Sequence, residues 1–551
     1  MVWRAEDPQG NEAGKVRWDI VPFTRGRGLD LGCGGHKAFP HFRGVDNLHH
    51  AYAYGQRFRP DIEVETCEKL TDFASDSQDF VFSSHLLEHI EDWRAALEEW
   101  WRVIRVGGHL VLYLPHKELY PNIGEPGANP DHKHDFLPQD IVDGMTAIAP
   151  DWTLLVRQTR DAGREYSFFQ VWRKDADGCG QTDVSDLPKP EKTVCLVRYG
   201  GFGDMIQAAS VLPGLKKQGY HVTVMTTDRG QEVLQNDPHI DGWIIQDKDQ
   251  VPNHELGDYW AHCAASFDRF INLSASVEES LLSVPGKITH TWPKEARHMV
   301  MDVNYLEFTH AIAQVPFEPA ARFYPTQAEY EWAIEQGIVM NDAFTVMVVL
   351  AGSSVHKAWP NLDYLIGRMM LETPECTIIM VGDPHCKILE AGFENEPRVW
   401  RRSGEWGIRH TMTAAANCDL VLGPETGVLN AVSFMPEVAK IVLLSHSSHE
   451  NLTKGWPNTL SVTPDVPCHP CHMMHYDRQF CPELWVPLES HPVAKDEKLV
   501  ELLTREGHIK DGMFATGAAK CAASISPDVV FGPVKELYES WRTTRGVAQA
   551  V

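Results

Sequence analysis

Between residues 193 and 225 an apolar run, a glycine loop, a helical repeat and a second apolar run follow one another. Thr193-Val194-Cys195-Leu196-Val197 is short, β-branched and uninterrupted, the pattern of a buried strand. The loop is Arg198-Tyr199-Gly200-Gly201-Phe202-Gly203-Asp204. Met205, Ile206, Ala209, Leu212 and Leu215 then recur at helical spacing as far as Gly219. Val222-Thr223-Val224-Met225 is the second strand and closes a βαβ unit. The glycines let backbone approach a polar ligand, and the helix behind them offers free N–H groups. Asp204 stands at that helix start, where a carboxylate serves as a catalytic acid or base or simply caps the helix.

The rest of the chain sets the frame. Its 551 residues are enough for three or four domains. A hydrophobic content of 43% with 23% charged residues is globular, and the net charge of −26 argues against broad binding to nucleic acid or an anionic membrane surface. No apolar run approaches the ~20 residues that span a bilayer. The first residues, MVWRAEDPQGNEAGK, lack the apolar core of a signal peptide. A soluble protein of a reducing cytoplasm is expected, with most of its cysteines kept as thiols.

The N-terminal third repeats the strand-and-turn logic. Arg27 to Leu31 is a strand running into Gly32-Cys33-Gly34-Gly35, and Gly44-Val45-Asp46-Asn47 is a second strand ending in an acid. A ligand approaches the first turn, and the acid accepts hydrogen bonds from ribose hydroxyls. Asp79 to Ser84 is a further strand. His85 to Arg105 is expected as a helix stopped by Gly107-Gly108, and His109 to Pro115 as the next strand. In order, LDLGCG, GVDN, DFVFSSHLLEHIEDW and RVGGHLVLYLP resemble the class I S-adenosylmethionine-dependent methyltransferases, type 11 in particular, over residues 15 to 173. The resemblance implies S-adenosyl-L-methionine as cofactor, with Asp30, Gly32 and Gly34 around its methionine moiety and Asp46 at the ribose. The family pattern D-A-x-x-L near the adenine is replaced by Val64-Glu65-Thr66-Cys67-Glu68-Lys69-Leu70. His85 and His89 are expected to support the helix start. The polar cluster His132-Lys133-His134-Asp135 suits a general base, a metal ligand set or ordinary loop surface.

Lys174 to Glu191 is polar and rich in Gly, Pro and Asp, as a linker is. Trp243-Ile244-Ile245 and Phe270 to Leu273 add two strands to the βαβ unit. A further α/β domain begins near residue 340, with strands at Phe344–Leu350, Thr377–Gly382, Asp419–Gly423 and Lys440–Leu444 and a helix opening at Lys357-Ala358-Trp359-Pro360. GGFGDMIQAASVLPGLKKQG, LAGSSVHKAWP, VGDP, GPETGVLNAV and SSHENLTKGWP resemble, in that order, the family 9 glycosyltransferases, which include the ADP-heptose:lipopolysaccharide heptosyltransferases. The resemblance covers residues 192 to 540. It implies a GT-B pair of Rossmann-like domains, inversion at the donor sugar and no catalytic metal. It also implies Asp204 as base, with Ser353, Ser354, Lys357, Glu425, Thr426 and Gly427 around a nucleotide-diphosphate sugar. Many members carry Asp at the Glu425 position and His at the Asn430 position, so the sugar and nucleotide accepted here are left open.

Near the C-terminus Cys468, Cys471, Cys481 and Cys521 are interleaved with His469, His472 and His475. A CxxC pair with two further thiolates holds a structural zinc in many proteins, and thiols in a closing loop are the alternative. The expected α/β chain thus has a methyltransferase-like domain at 1–175, a linker at 176–191, and GT-B domains at 192–330 (acceptor side) and 331–551 (donor side). The expected function is sugar transfer to a glycan or lipid-linked acceptor together with methylation. Its rivals are a glycosyltransferase with a non-catalytic methyltransferase-fold module and a non-enzymatic glycan-binding protein.

Overall fold

The computed structural model describes residues 11–47, 60–163, 165–281, 283–284, 286–320, 323–339, 342–474, 485–490, 492–515 and 518–545. It divides into two compact units. One holds the chain up to Thr193 together with Ile244–Arg269, and the other holds Val194–Trp243 and the chain from Phe270 onward.

The first unit is built on an eight-stranded sheet: β1 (Gly28–Leu31), β2 (Arg43–Asp46), β3 (Ile62–Glu63), β4 (Gln78–Ser84), β5 (Ile104–Pro115), β6 (Trp152–Arg160), β7 (Ser167–Lys174) and β8 (Gln181–Asp183). Their order is β3-β2-β1-β4-β5-β7-β6-β8, with β1 to β5 parallel and β7 antiparallel to β5. Every residue of β1 is buried, as a central parallel strand covered on both faces requires. The strand order reverses between β1 and β4, which opens a crevice at their carboxyl ends.

The helix expected from His85 begins only at Trp93 and ends at Val103, burying Trp93, Ala96, Leu97, Trp100 and Trp101. Asp92 sets that start, because its carboxylate accepts the Ala95 N–H at 3.1 Å. Residues 85–91 instead form a turn whose Glu88 carbonyl accepts the Lys133 N–H at 2.7 Å. Gly107 and Gly108 lie inside one long strand, Ile104–Pro115. Gly107 has a φ of +81°, and the β4–β5 register shifts between Gln78 and Phe80. The glycines therefore mark an irregularity in the strand, not a helix end. Within the polar stretch read as a linker, Gln181–Asp183 pair with β6 as an exposed edge strand. Such a strand needs only backbone bonds, so no apolar alternation announces it.

Ile244–Arg269 fastens to the first residues of the same unit. Tyr259, wholly buried, meets the Trp18 ring at 5.8 Å. Gln250 Nε2 donates to the Val21 and Thr24 carbonyls at 2.8 and 3.0 Å, buried among them. Gln250→Ala removes the side-chain donor from both carbonyls and leaves that of Thr24 without one among the described residues, and is expected to cost about 1–3 kcal/mol, read as a lower urea midpoint. A midpoint equal to that of the wild type would show that the contact contributes nothing.

Two further sheets lie mostly in the second unit. One comprises β9 (Thr193–Val197), β10 (His221–Thr226), β11 (Gly242–Ile245) and β12 (Arg269–Asn272), in the order β11-β10-β9-β12. The other comprises β13 (Phe344–Val349), β14 (Cys376–Val381), β15 (Val399–Arg401), β16 (Leu420–Pro424), β17 (Ala439–Leu443) and β18 (Thr459–Val462), in the order β15-β14-β13-β16-β17-β18. All its pairings are parallel, and β13, β14, β16 and β17 are buried at every position. The helix expected to open at Lys357 begins at Leu362, after Pro360 and Asn361. The last helix, Pro527–Thr544, inserts Val530, Phe531, Val534 and Tyr538 into the core of this sheet. The architecture is a Rossmann-like sheet followed by two more α/β sheets. Among the described residues no helix is long and apolar enough to cross a membrane.

Candidate functional site

Two loops of the second unit leave the carboxyl ends of β9 and β12, on either side of the point where strand order reverses. The β9 loop delivers Asp204 to the first turn of the helix Phe202–Ala209. There the Asp204 carboxylate accepts the Gly201 N–H at 2.9 Å, so it does cap the helix. It also accepts from Arg198 Nη2 at 2.7 Å, and that arginine is almost wholly buried while Asp204 keeps 26% of its side chain exposed. The base expected here is thus held from behind and open in front. Gly200 is needed for the arrangement, since a Cβ there would stand 2.8 Å from Asp204 Oδ2. From the β12 side, Ser274 Oγ accepts the Tyr199 N–H at 2.6 Å and fixes the loop.

The residues expected on the donor side gather at the matching reversal of the six-stranded sheet, after β13 and β16. Ser353 is exposed and Ser354 buried, with Ser354 Oγ 3.2 Å from His356 Nε2. Lys357 is 7% exposed, donates to the Glu425 carbonyl at 2.9 Å and stands 3.8 Å from that residue's carboxylate. Glu425 is buried too. Its carboxylate accepts the Ser445 N–H at 2.5 Å and the Ser447 hydroxyl at 3.1 Å, and His446 Nε2 lies 3.3 Å away. Burial alone would raise the Glu425 carboxyl, but His446, Lys357 and the serine donors outweigh it and bring it to about 2. Burial takes the His446 imidazole down to about 3. With that ring neutral at pH 7, Lys357 and the serine donors keep Glu425 ionised.

Thr426 and Gly427 open the next helix, Gly427–Val432, and this helix meets the Asp204 helix directly. A Cβ on Gly427 would stand 3.0 Å from the Gly203 nitrogen, and one on Gly203 would stand 2.5 Å from Asn430 Nδ2. Gln207 Nε2 donates to Asn430 Oδ1 at 3.0 Å, with both side chains buried. Asn430 is therefore engaged in joining the two halves. Asp204, Lys357 and the Glu425–Gly427 loop come together across one junction. The Thr426 hydroxyl is buried there with no hydrogen-bond partner among the described residues.

In the first unit the glycine turn after β1 is tied to β2. Gly34 N–H donates to Asp46 Oδ2 at 2.7 Å, and Asn47 N–H donates to Oδ1 at 2.7 Å. A carboxylate has further lone pairs, which leaves acceptor capacity for a pair of ribose hydroxyls. Gly32 and Gly34 have φ of +66° and +51°. Asp30 is buried, accepts the Ala38 N–H at 3.0 Å and shapes the turn from beneath, and burial pushes its carboxyl up to about 7. His85 and His89 stand in the turn ahead of the helix and do not support its start. His85 Nε2 is 2.9 Å from Ser167 Oγ, and burial lowers its imidazole to about 3. In the loop cluster His134 Nε2 faces the Glu91 carbonyl at 3.0 Å and Asp135 accepts the Ile123 N–H at 3.0 Å, both as loop supports. His132 alone turns inward, toward Glu88.

Cys468, Cys471 and Cys521 lie among the described residues, with Cys521 buried beside Val466 and Trp485. Cys481 lies outside them. Sequence reasoning assigned no role to Arg198 and Gln207, although both lie in or beside the glycine-loop motif, and it did not single out His446. It also missed Glu88, although the run Glu88-His89 upstream of a histidine-rich loop was a usable signal.

A methyltransferase domain family model matches residues 29–112. No curated protein matches the chain. Among solved structures, a family 9 glycosyl transferase from Veillonella parvula is 13% identical, with 64% of this chain and 98% of that one covered and a TM-score of 0.42. The ADP-heptose lps heptosyltransferase II of E. coli is 13% identical, with 63% and 99% covered and a TM-score of 0.39. An S-adenosylmethionine dependent methyltransferase from Mesorhizobium loti is 20% identical, with 29% and 98% covered and a TM-score of 0.24.

Proposed function

We propose that this chain, a methyltransferase-like domain joined to a GT-B, family-9-like glycosyltransferase pair, is a bifunctional glycan-modifying enzyme. One site transfers a heptose-like sugar from a nucleotide diphosphate, with inversion, to a hydroxyl of a glycan or lipid-linked acceptor. The other methylates with S-adenosyl-L-methionine. The observation that carries this reading is the junction at which Asp204 meets the loop bearing Glu425, Thr426 and Gly427, with Lys357 bonded to it.

In sugar transfer the acceptor oxygen attacks the anomeric carbon as its proton passes to Asp204, and the bond to the diphosphate oxygen breaks with its electron pair. Lys357, with Ser353, Ser354 and the backbone donors at Thr426 and Gly427, offsets the charge that develops on the diphosphate. Asp30, Gly32, Gly34 and Asp46 hold S-adenosyl-L-methionine, which supplies the methyl group when bound. A structural zinc at Cys468, Cys471, Cys481 and Cys521 would need its thiolates to close together, since the sulfurs of Cys468, Cys471 and Cys521 do not all lie within 4.8 Å of one another.

Calorimetry tests both sites. S-adenosyl-L-methionine is expected to bind and to weaken by at least about tenfold in Asp46→Ala, which removes two charge-assisted acceptors. One nucleoside diphosphate of a panel is expected to bind and to weaken by about 100-fold in Lys357→Ala. Nucleotide binding without S-adenosyl-L-methionine would reduce the first unit to a scaffold. Binding of neither would sink the reading.

A further inference from the structure

We infer that Glu88, His89 and His132 form a binding site for a divalent transition-metal cation in the first unit. Among the described residues they are the one group of three or more His, Cys, Asp or Glu side chains whose donor atoms all lie within 4.8 Å of one another. Glu88 Oε1 is 3.9 Å from His89 Nε2 and 3.9 Å from His132 Nε2. Donors around a tetrahedral ion with bonds of 2.0–2.1 Å lie about 3.4 Å apart, so each Glu88–histidine pair needs to close by about half an ångström.

The second observation is Glu88 itself. Its side chain is fully buried, and neither carboxylate oxygen has a hydrogen-bond partner among the described residues. A buried carboxylate without donors is costly, and coordination to a cation is one of the few ways to compensate it. The surroundings are already arranged for coordination. His89 Nδ1 is 3.2 Å from the Asp131 carbonyl, which places the ring proton on Nδ1 and turns the Nε2 lone pair toward Glu88. The Glu88 carbonyl accepts the Lys133 N–H, which pins the loop carrying His132 against the turn carrying the other two ligands. His85 Nδ1 stands 3.7 Å from the same Glu88 oxygen, with its Nε2 committed to Ser167.

Two imidazoles and a carboxylate suit zinc, iron, cobalt or nickel better than magnesium or calcium, which favour all-oxygen sets. Three protein ligands leave at least one position for water or for an oxygen donor of a substrate. The place is suggestive. A Cβ on Gly32 would stand 2.9 Å from Leu86 Cδ1, so the ligand turn begins against the glycine turn after β1.

The test uses the full-length protein, stripped with chelator and titrated with Co2+, followed by visible absorption and by metal analysis after equilibrium dialysis. One equivalent is expected to bind in the wild type that is absent from Glu88→Gln and weakened at least about 100-fold in His89→Ala, since even partners of ligands are worth 10–100-fold. Glu88→Gln keeps the buried shape, and partly exposed His89 can be truncated without emptying the core, so circular dichroism should match the wild type. His134→Ala, on the same loop, and Cys468→Ser should both retain the equivalent. Cobalt binding that is absent, unchanged in Glu88→Gln and His89→Ala, or lost only in Cys468→Ser would overturn the assignment.

Discussion

Asp204→Asn is expected to lower the turnover of sugar transfer by about 10³-fold at saturating donor, within the range that a positioned general base contributes. The affinity for the nucleoside diphosphate should stay within a few-fold, because Asn keeps the shape and the Lys357–Glu425 contact lies on another loop. This separates the observed cap from the proposed base. A helix cap is worth about 1 kcal/mol, and its loss appears as a lower melting temperature with turnover nearly intact. Asp204 does cap, through the Gly201 N–H, so some loss of stability accompanies the substitution in either case. The amide also removes the charge opposite buried Arg198, so stability and rate must be measured on the same preparation. Asp204→Glu supplies the control: it restores the charge and a basic oxygen at a displaced position, and part of the lost rate should return. Turnover of Asp204→Asn within tenfold of the wild type would remove Asp204 as the base and leave it as a cap.

The strands of the parallel sheets were legible because burial on both faces writes an uninterrupted apolar run. Phe344–Val349, Cys376–Val381 and Leu420–Pro424 each fall within a residue or two of where their runs predict them. Elements that work through backbone bonds or a single cap were not legible. The edge strand Gln181–Asp183 has only exposed side chains, and Asp92 displaced a helix start that the apolar spacing put eight residues earlier, at His85. Asp204 and Lys357 could be singled out as candidates because each sits beside a glycine loop at a strand end. Arg198 and His446 could not, because their roles come from burial against those residues. The same limit hid the meeting of Glu88 with His132, which only the return of the 129–136 loop over the turn before Trp93 brings about. Local pattern thus marks where a ligand can approach the backbone, whereas the charges behind that backbone are placed by tertiary packing.

The largest loss of stability is expected from Arg409→Met. Arg409 lies on the helix Ile408–Ala415 and is 5% exposed. Its Nε and Nη2 donate to the two oxygens of Glu329 at 2.6 and 2.8 Å. Its remaining donors reach the Val233 carbonyl at 2.9 Å and the Tyr324 carbonyl at 2.9 Å, and the guanidinium lies 4.6 Å over the Phe323 ring. One side chain therefore binds three segments of the second unit: the end of the helix Asp228–Leu234, the 323–324 stretch and the helix Gln327–Glu335. Removing it leaves Glu329 buried and two carbonyls without donors, which is expected to cost about 3–5 kcal/mol. Arg409→Lys should recover little, because an ammonium cannot present the planar fork to a carboxylate. The double variant Arg409→Met with Glu329→Met should be more stable than Arg409→Met alone, since no charge is then left buried unpaired. The wild type should also depend on pH through the same pair. Burial pushes the Glu329 carboxyl up, but the hydrogen bonds from Arg409 and Thr326 bring it below the usual glutamate range. A carboxyl lowered on folding contributes stability that is complete above its unfolded value and disappears as pH falls through the folded one. The gap in urea midpoint between wild type and Arg409→Met should therefore be widest near neutrality and narrow below about pH 4. A gap that stays constant between pH 7 and pH 3 would show that the arginine acts through packing and its carbonyl contacts, with the ion pair contributing nothing.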